Sequence, residues 1–303
     1  MSRFAPLFVI IAAALWGIDG IVLRPALYSL PVPVVVLIES SIVALILSPI
    51  FIKQYPKLKL LNRKDWLAFL GVALFGGTIG TMSITKALFY VNFVNLSIVI
   101  LIQKLQPVFA LTFAAFLLKE KLPKIFFLWA ALAISGAYFM TFGLSFPDLG
   151  TGDKTIIAAG FSLIAAISFS SSTVFSKRAL RNVGFEMGTY LRFLLSAAIM
   201  LVIASIMGDI KSIVNVSASQ WLVFLLIAFT TGGAAIFLYY YGLKKITASV
   251  ATICELAFPL TAVVLEYFLH GNILNPVQWM GVALLIFSII KVSGINFLGS
   301  NEK

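Results

Sequence analysis

The chain has 303 residues, of which 61% are hydrophobic and 11% charged, against about 45–50% apolar and about 25% charged in a soluble domain. Its apolar residues come in blocks of about 20, the length that crosses a hydrocarbon core, which leaves almost nothing for a water-soluble domain. The formal net charge is +11, but the basic residues sit in short gaps between apolar blocks rather than on one polar surface, so no nucleic-acid partner is expected. A single cysteine, Cys254, excludes an internal disulfide, and a single histidine, His270, leaves no cluster with metal-ligand spacing. No cofactor or metal is therefore expected.

Helices are the expected form of the blocks, because a lone segment in lipid must pair its own backbone groups and the blocks do not alternate as barrel strands do. In chain order the predicted spans are residues 4–27, 32–52, 66–89, 94–118, 123–143, 155–177, 186–207, 219–242, 247–269 and 275–297. The first resembles a signal peptide but lacks a convincing cleavage site, and is read as a retained span. Lys and Arg favour cytoplasmic loops. With the N-terminus inside, inner loops hold Lys53, Lys57, Lys59, Arg63, Lys64, Lys119, Lys121, Lys124, Lys177, Arg178, Arg181, Lys244 and Lys245, whereas outer loops hold Lys154 and Lys211. Arg24 and Lys86, near outer helix ends, weaken this asymmetry slightly. Ten spans, both termini cytoplasmic and a bacterial inner membrane are expected.

Shifting the chain by 152 residues aligns Leu70, Thr78, Gly80, Ile84 and Ser97 with Leu222, Thr230, Gly232, Ile236 and Ser249. Pro107, Ala110, Phe116, Leu117 and Leu122 meet Pro259, Ala262, Phe268, Leu269 and Leu274 at the same shift. The matched mid-span prolines weigh more than the leucines. Residues 1–146 and 147–303 are thus predicted repeats of five helices each, and an odd number forces opposite orientations, the plan of secondary transporters.

Leu15-Trp16-Gly17, Ala87-Leu88-Phe89-Tyr90, Leu105-Gln106-Pro107-Val108-Phe109 and Leu117-Leu118-Lys119-Glu120-Lys121-Leu122 resemble the EamA domain of the drug/metabolite transporter superfamily. Tyr241-Gly242-Leu243, Phe258-Pro259-Leu260 and Gln278-Trp279-Met280-Gly281 repeat the pattern more loosely. The resemblance implies ten helices in inverted halves and movement of small metabolites, often amino acids or amines, commonly outward. Glu39 stands where the resemblance leads to an arginine, whereas Arg192 keeps that type.

Ionisable groups deep in a membrane cost about 2.5–3.5 kcal/mol each on insertion scales, so they face partners or a cavity. Here they are Asp19, Glu39, Lys104, Arg192, Glu255 and Glu266. Lys104 and Glu255 stand beside Pro107 and Pro259, and a proline frees the carbonyl four residues before it, those of Gln103 and Glu255. Matched helix breaks with free carbonyls and polar side chains mark a transporter's binding site, although Lys104 and Glu255 could instead neutralise each other. Asp19 and Glu39, in the outer half, could bind an ammonium, carry a proton, or form salt bridges, Asp19 with Arg24 and Glu39 with Lys104 or another base. Glu255, Pro259, Ala262 and Glu266 share one helical face. Arg192 is expected to snorkel or to lock an inner gate. Trp16, mid-span, could stack on substrate or simply pack. Ser168, Ser172 and Ser176 could line a polar path or allow close helix approach, as Gly76, Gly80 and Gly232-Gly233 do.

The expected protein is an all-α polytopic membrane transporter, and not an enzyme, working by alternating access. Its expected substrate is an amino acid or similar zwitterion, moved by export or exchange. The expected substrate-binding set is Trp16, Asp19, Glu39, Gln103, Lys104, Ser172 and Glu255, with Pro107, Pro259 and Arg192 at breaks and gates. Its partners are a small molecule, the lipid bilayer and, as a candidate coupling ion, the proton; the sequence leaves its oligomeric state open. Open alternatives are a larger charged metabolite such as a nucleotide derivative, cationic drugs, a channel, or an intramembrane enzyme, for which one His and one Cys supply no catalytic set.

Overall fold

The structure is a computed structural model describing residues 4–90, 99, 102–146, 153–270 and 273–294, without the side chains of 88, 89, 153, 155, 262, 266, 269 and 270. Among the described residues nine helices are long and apolar enough to cross a membrane. A further apolar helix, Gln106–Leu117, lies within the predicted span 94–118. In chain order the ten are α1 (Ala5–Leu27), α2 (Val32–Leu60), α3 (Arg63–Ala87), α4 (Gln106–Leu117), α5 (Lys124–Phe142), α6 (Asp153–Ala179), α7 (Phe185–Ile206), α8 (Ala218–Lys245), α9 (Ala248–Leu265) and α10 (Pro276–Ser293).

Their ends follow local chemistry. Capping boxes start α3 (Asn62 with Asp65), α8 (Ser217 with Gln220) and α10 (Asn275 with Gln278), each satisfying two backbone N–H groups that lack an intrahelical partner. Gly143, at φ +61°, ends α5 in a conformation that costs a glycine nothing sterically. Several spans are irregular inside. Asp19–Leu23 in α1 and Val72–Ile79 in α3 are π-helical, while α8 breaks between Phe229 and Gly233. Such defects in a helical ladder gather at functional sites.

The packing shows the repeat. α5 lies along its counterpart α10 and α2 along its counterpart α7, while α1 packs on α8 and α9 just as α6 packs on α3 and α4. Exchanging the halves reproduces this pattern, so the chain is an all-α polytopic membrane protein of two inverted five-helix repeats. Glycine permits the tightest crossing. A Cβ on Gly136 of α5 would sit 2.7 Å from the Leu285 backbone nitrogen of α10, the small-residue contact that lets membrane helices approach. The side on which α1 begins carries most Lys and Arg, and is called the basic side; the other is the far side.

Candidate functional site

The site centres on a break in α9. Its helical pieces are Ala248–Cys254 and Ala257–His270, interrupted at Glu255 and Leu256. At about 1.5 Å rise per residue the break lies roughly 10 Å in from the basic end. The Glu255 carboxylate points among three other helices. One oxygen accepts from the Tyr239 hydroxyl of α8 at 2.7 Å and from Thr173 Oγ1 of α6 at 3.3 Å. The other accepts from Gln106 Nε2, at the start of α4, at 3.2 Å. The Trp16 ring of α1 stands 5.3 Å from the Tyr239 ring, centroid to centroid. Apolar ring faces and hydrogen-bonding groups thus meet around one carboxylate.

A matching irregularity precedes α4, where Lys104 and Leu105 form a turn before Gln106. Lys104 is buried and has no hydrogen-bond or ion-pair partner among the described residues. It does not neutralise Glu255, whose hydrogen-bond partners are the uncharged Tyr239, Thr173 and Gln106. The expected freed carbonyl of Glu255 is also corrected. That oxygen accepts from the Phe258 backbone N–H at 3.0 Å, because the turn before Pro259 tightens to an i→i+3 bond. Gln103 donates to the Ser162 carbonyl of α6 at 2.8 Å and faces its hydroxyl at 3.3 Å.

Asp19 and Glu39 stand in a separate, charge-paired cluster toward the far side. Arg24, counted from sequence as a helix-end charge, follows the π-helical segment of α1, and its guanidinium meets Asp19 at 2.6 Å and Glu39 at 3.4 Å. Thr231, in the α8 break, donates to Asp19 at 3.1 Å. Of the readings left open by sequence, the Asp19–Arg24 bridge is present. Glu39 shares that same cation instead of Lys104.

Arg192 does not snorkel. It is half-buried, its Nη1 lies 3.4 Å from the Tyr240 hydroxyl, and Tyr240 in turn bonds the buried Ser176 at 2.9 Å. A Cβ on Gly76 would collide with the Ser172 hydroxyl and stand 3.5 Å from Arg192 Nη2, so the absence of a side chain there lets Ser172 and Arg192 share a wall. The Glu266 side chain and residues 271–272 lie outside the described residues.

Of the expected set, Trp16 and Glu255 converge through Tyr239, and Ser172 adjoins Thr173, whose hydroxyl bonds Glu255. Asp19 and Glu39 form a second cluster, and Gln103 is held by Ser162. Sequence reasoning missed Gln106, Thr173, Thr231, Tyr239 and Tyr240, and it named Arg24 as a candidate partner of Asp19 but not of Glu39. Gln106 directly precedes Pro107, and Thr173 follows the serine run of α6; these neighbours were the available signals.

Against known proteins, the model of the EamA-like transporter family matches residues 3–142 and 156–294. The chain is 47% identical over 291 residues to a protein named riboflavin transporter ImpX from Fusobacterium nucleatum subsp. nucleatum, covering 96% of this chain and 97% of that one. It is 27% identical over 288 residues to an uncharacterized transporter of Buchnera aphidicola, covering 94% and 91% of the two chains. The uncharacterized inner membrane transporter YedA of Escherichia coli K12 is 26% identical over 187 residues, 62% of this chain and 58% of that one. A solved crystal structure at 17% identity superposes with a TM-score of 0.72 over 98% of this chain and 99% of that one, which shows a shared fold.

Proposed function

The chain belongs to the EamA-like transporter family, a membrane transporter of small metabolites and not an enzyme, and we propose that this member carries riboflavin or a close relative by alternating access. The observation that carries the proposal is the 47% identity to a riboflavin transporter across 96% of this chain. The site supports it chemically. Riboflavin is an uncharged ring system with imide and polyol hydrogen-bonding groups, and Trp16 and Tyr239 offer ring faces beside the Gln106 amide, which has a second N–H and a carbonyl oxygen besides its contact to Glu255. Pockets for such ligands combine apolar walls with a few convergent polar groups.

An amino-acid zwitterion is the weaker reading. Lys104 and Glu255 leave opposite charges without a direct ion pair, but Asp19 already faces Arg24, and the relative at 47% identity is named a riboflavin transporter. In the proposed cycle the broken α4 and α9 rock with their repeats about the Glu255 cluster, exposing it to one side at a time. The basic side is the cytoplasmic side of a bacterial inner membrane, with both termini on it.

Purified protein in liposomes tests the cargo. Radiolabelled riboflavin influx is expected to saturate, to accelerate when unlabelled riboflavin is trapped inside, and to be blocked by excess riboflavin but not by mixed amino acids. Absence of saturable riboflavin influx, or its loss on adding an amino acid, would overturn the reading.

A further inference from the structure

Three described carboxylates lie deep in the spans, and their surroundings differ. Asp19 and Glu39 bond the Arg24 guanidinium. Glu255 bonds only uncharged groups: a phenol, an alcohol and an amide, each from a different helix. An ionised carboxylate in such a place keeps a desolvation cost of several kcal/mol that a direct ion pair would offset. The charged and titratable groups around it are few. The turn before α4 supplies Lys104, α6 only Thr173 and Ser172 at this depth, α7 Arg192, α8 Tyr239 and Tyr240, and α1 Trp16 with Asp19 farther along. The adjacent Cys254 is buried on α9 itself. α5 and α10 carry one charge each, Lys124 and Lys291, both in end turns on the basic side.

We propose that Glu255 is the group that binds and releases a proton during the transport cycle, and that this proton works the clamp between α9 and its neighbours. An ionised carboxylate is acceptor-only and takes all three donors at once; a carboxylic acid has one oxygen that donates. A proton on the oxygen facing Gln106 sets two donors against each other, the new O–H and the amide N–H. The Gln106 amide must then withdraw, or turn over so that its Oε1 accepts from the new O–H; either way the N–H contact of the ionised state between the start of α4 and the break in α9 is broken. Tyr239 and Thr173 keep the second oxygen in both states. Protonation thus loosens one of the contacts joining the two broken helices, and the proton taken from water on one face leaves to water on the other.

The site can be tested without any cargo. Infrared difference spectra of the purified protein across a pH series should show a reversible protonated-carboxyl C=O stretch that vanishes in Glu255→Gln and persists in Glu39→Gln. A band unchanged in Glu255→Gln overturns the assignment. If Glu255→Gln does not insert, Gln106→Leu replaces it and must move the pH midpoint of that band; an unmoved midpoint counts against the clamp.

The coupling test uses riboflavin as probe and so rests on the proposed function. With one proton per substrate, the steady accumulation ratio should change about tenfold per pH unit across the membrane. In Glu255→Gln, whatever riboflavin flux remains should be indifferent to the gradient. A wild-type ratio indifferent to the gradient, or a gradient response kept in Glu255→Gln, overturns the proposal. Riboflavin that does not cross at all sinks the cargo instead, and the infrared series then decides the proton site alone.

Discussion

The two repeats build the same joint at opposite faces of the membrane, from different chemistry. On the basic side the start of α3 meets the end of α6; on the far side the start of α8 meets the end of α1. Each joint begins with a capping box, and in each the third helical residue of the box, Asp65 or Gln220, also reaches to the neighbouring span. Asp65 has a side chain with 0% exposure and bonds Arg178 at 2.5 Å and Asn182 at 2.6 Å. Gln220, facing solvent, donates to the Ala26 carbonyl at 3.3 Å and to Ser29 Oγ at 2.9 Å. Removing one partner of a buried ion pair costs about 3–5 kcal/mol, whereas a neutral exposed hydrogen bond contributes about 0.5–1.5 kcal/mol. By those magnitudes the far-side joint yields first, and an alternating-access cycle that starts from this conformation opens there.

The largest break in the comparison is Asp65→Ala. It leaves the Arg178 guanidinium without its carboxylate and the Asn182 amide without its acceptor, and it removes half of the α3 capping box. A loss of about 3–5 kcal/mol is expected in thermal or denaturant unfolding of the detergent-solubilised protein. The double variant Asp65→Ala with Arg178→Ala should lose less than the two single losses added, because the unpaired charge goes as well. Additive losses would mean that the two residues do not act as a pair.

Arg24→Gln ranks next and tests whether the far side has a second, charged fastening. Arg24 is the cation for both Asp19 and Glu39, its side chain is 28% exposed, and a glutamine keeps an amide N–H that can still donate to the acids. A loss of about 1.5–3 kcal/mol is expected, the scale of hydrogen bonds to charged groups. Because Asp19 and Thr231 also join α1 to the break in α8, the same variant should raise thiol labelling of a cysteine placed at Thr230. Unchanged labelling would confine Arg24 to a local role within α1 and α2.

The sequence carried the spans and the repeat because both reside in local pattern: apolar runs of bilayer length, and prolines and glycines at a constant shift. It also carried Glu255, because a carboxylate deep in lipid is conspicuous by type alone. The residues holding it were not legible. Tyr239, Thr173 and Gln106 are ordinary helix residues, and they become partners only through the rotation and crossing of α8, α6 and α4. Arg24 was legible as a neighbour of Asp19, but its second contact, to Glu39, was not, since the π-helical segment Asp19–Leu23 decides where it points. Asp65, embedded among Arg63, Lys64 and Trp66, reads as a loop acid beside bases on its own strand of sequence; its partners lie more than one hundred positions away, in and beyond the end of α6.

Gln220→Ala has the smallest expected effect, and the comparison depends on its staying small. The variant removes two neutral contacts to the end of α1 and the side-chain half of the α8 capping box, while Ser217 Oγ still accepts from the residue 220 backbone N–H at 3.3 Å. Water replaces the lost partners, so about 0.5–1.5 kcal/mol of stability is expected to go. The local consequence should exceed the global one. Hydrogen exchange at the Trp221 amide, bonded to the Ser217 carbonyl at 3.0 Å, should quicken, and a cysteine at Ser29 should label faster, with little background from the buried native Cys254. If transport opens first on the far side, Gln220→Ala should speed exchange of substrate from that face while Asp65→Ala mainly lowers the yield of folded protein. A Gln220→Ala protein as unstable as Asp65→Ala would show that both joints hold with equal strength, and the far side would lose its priority.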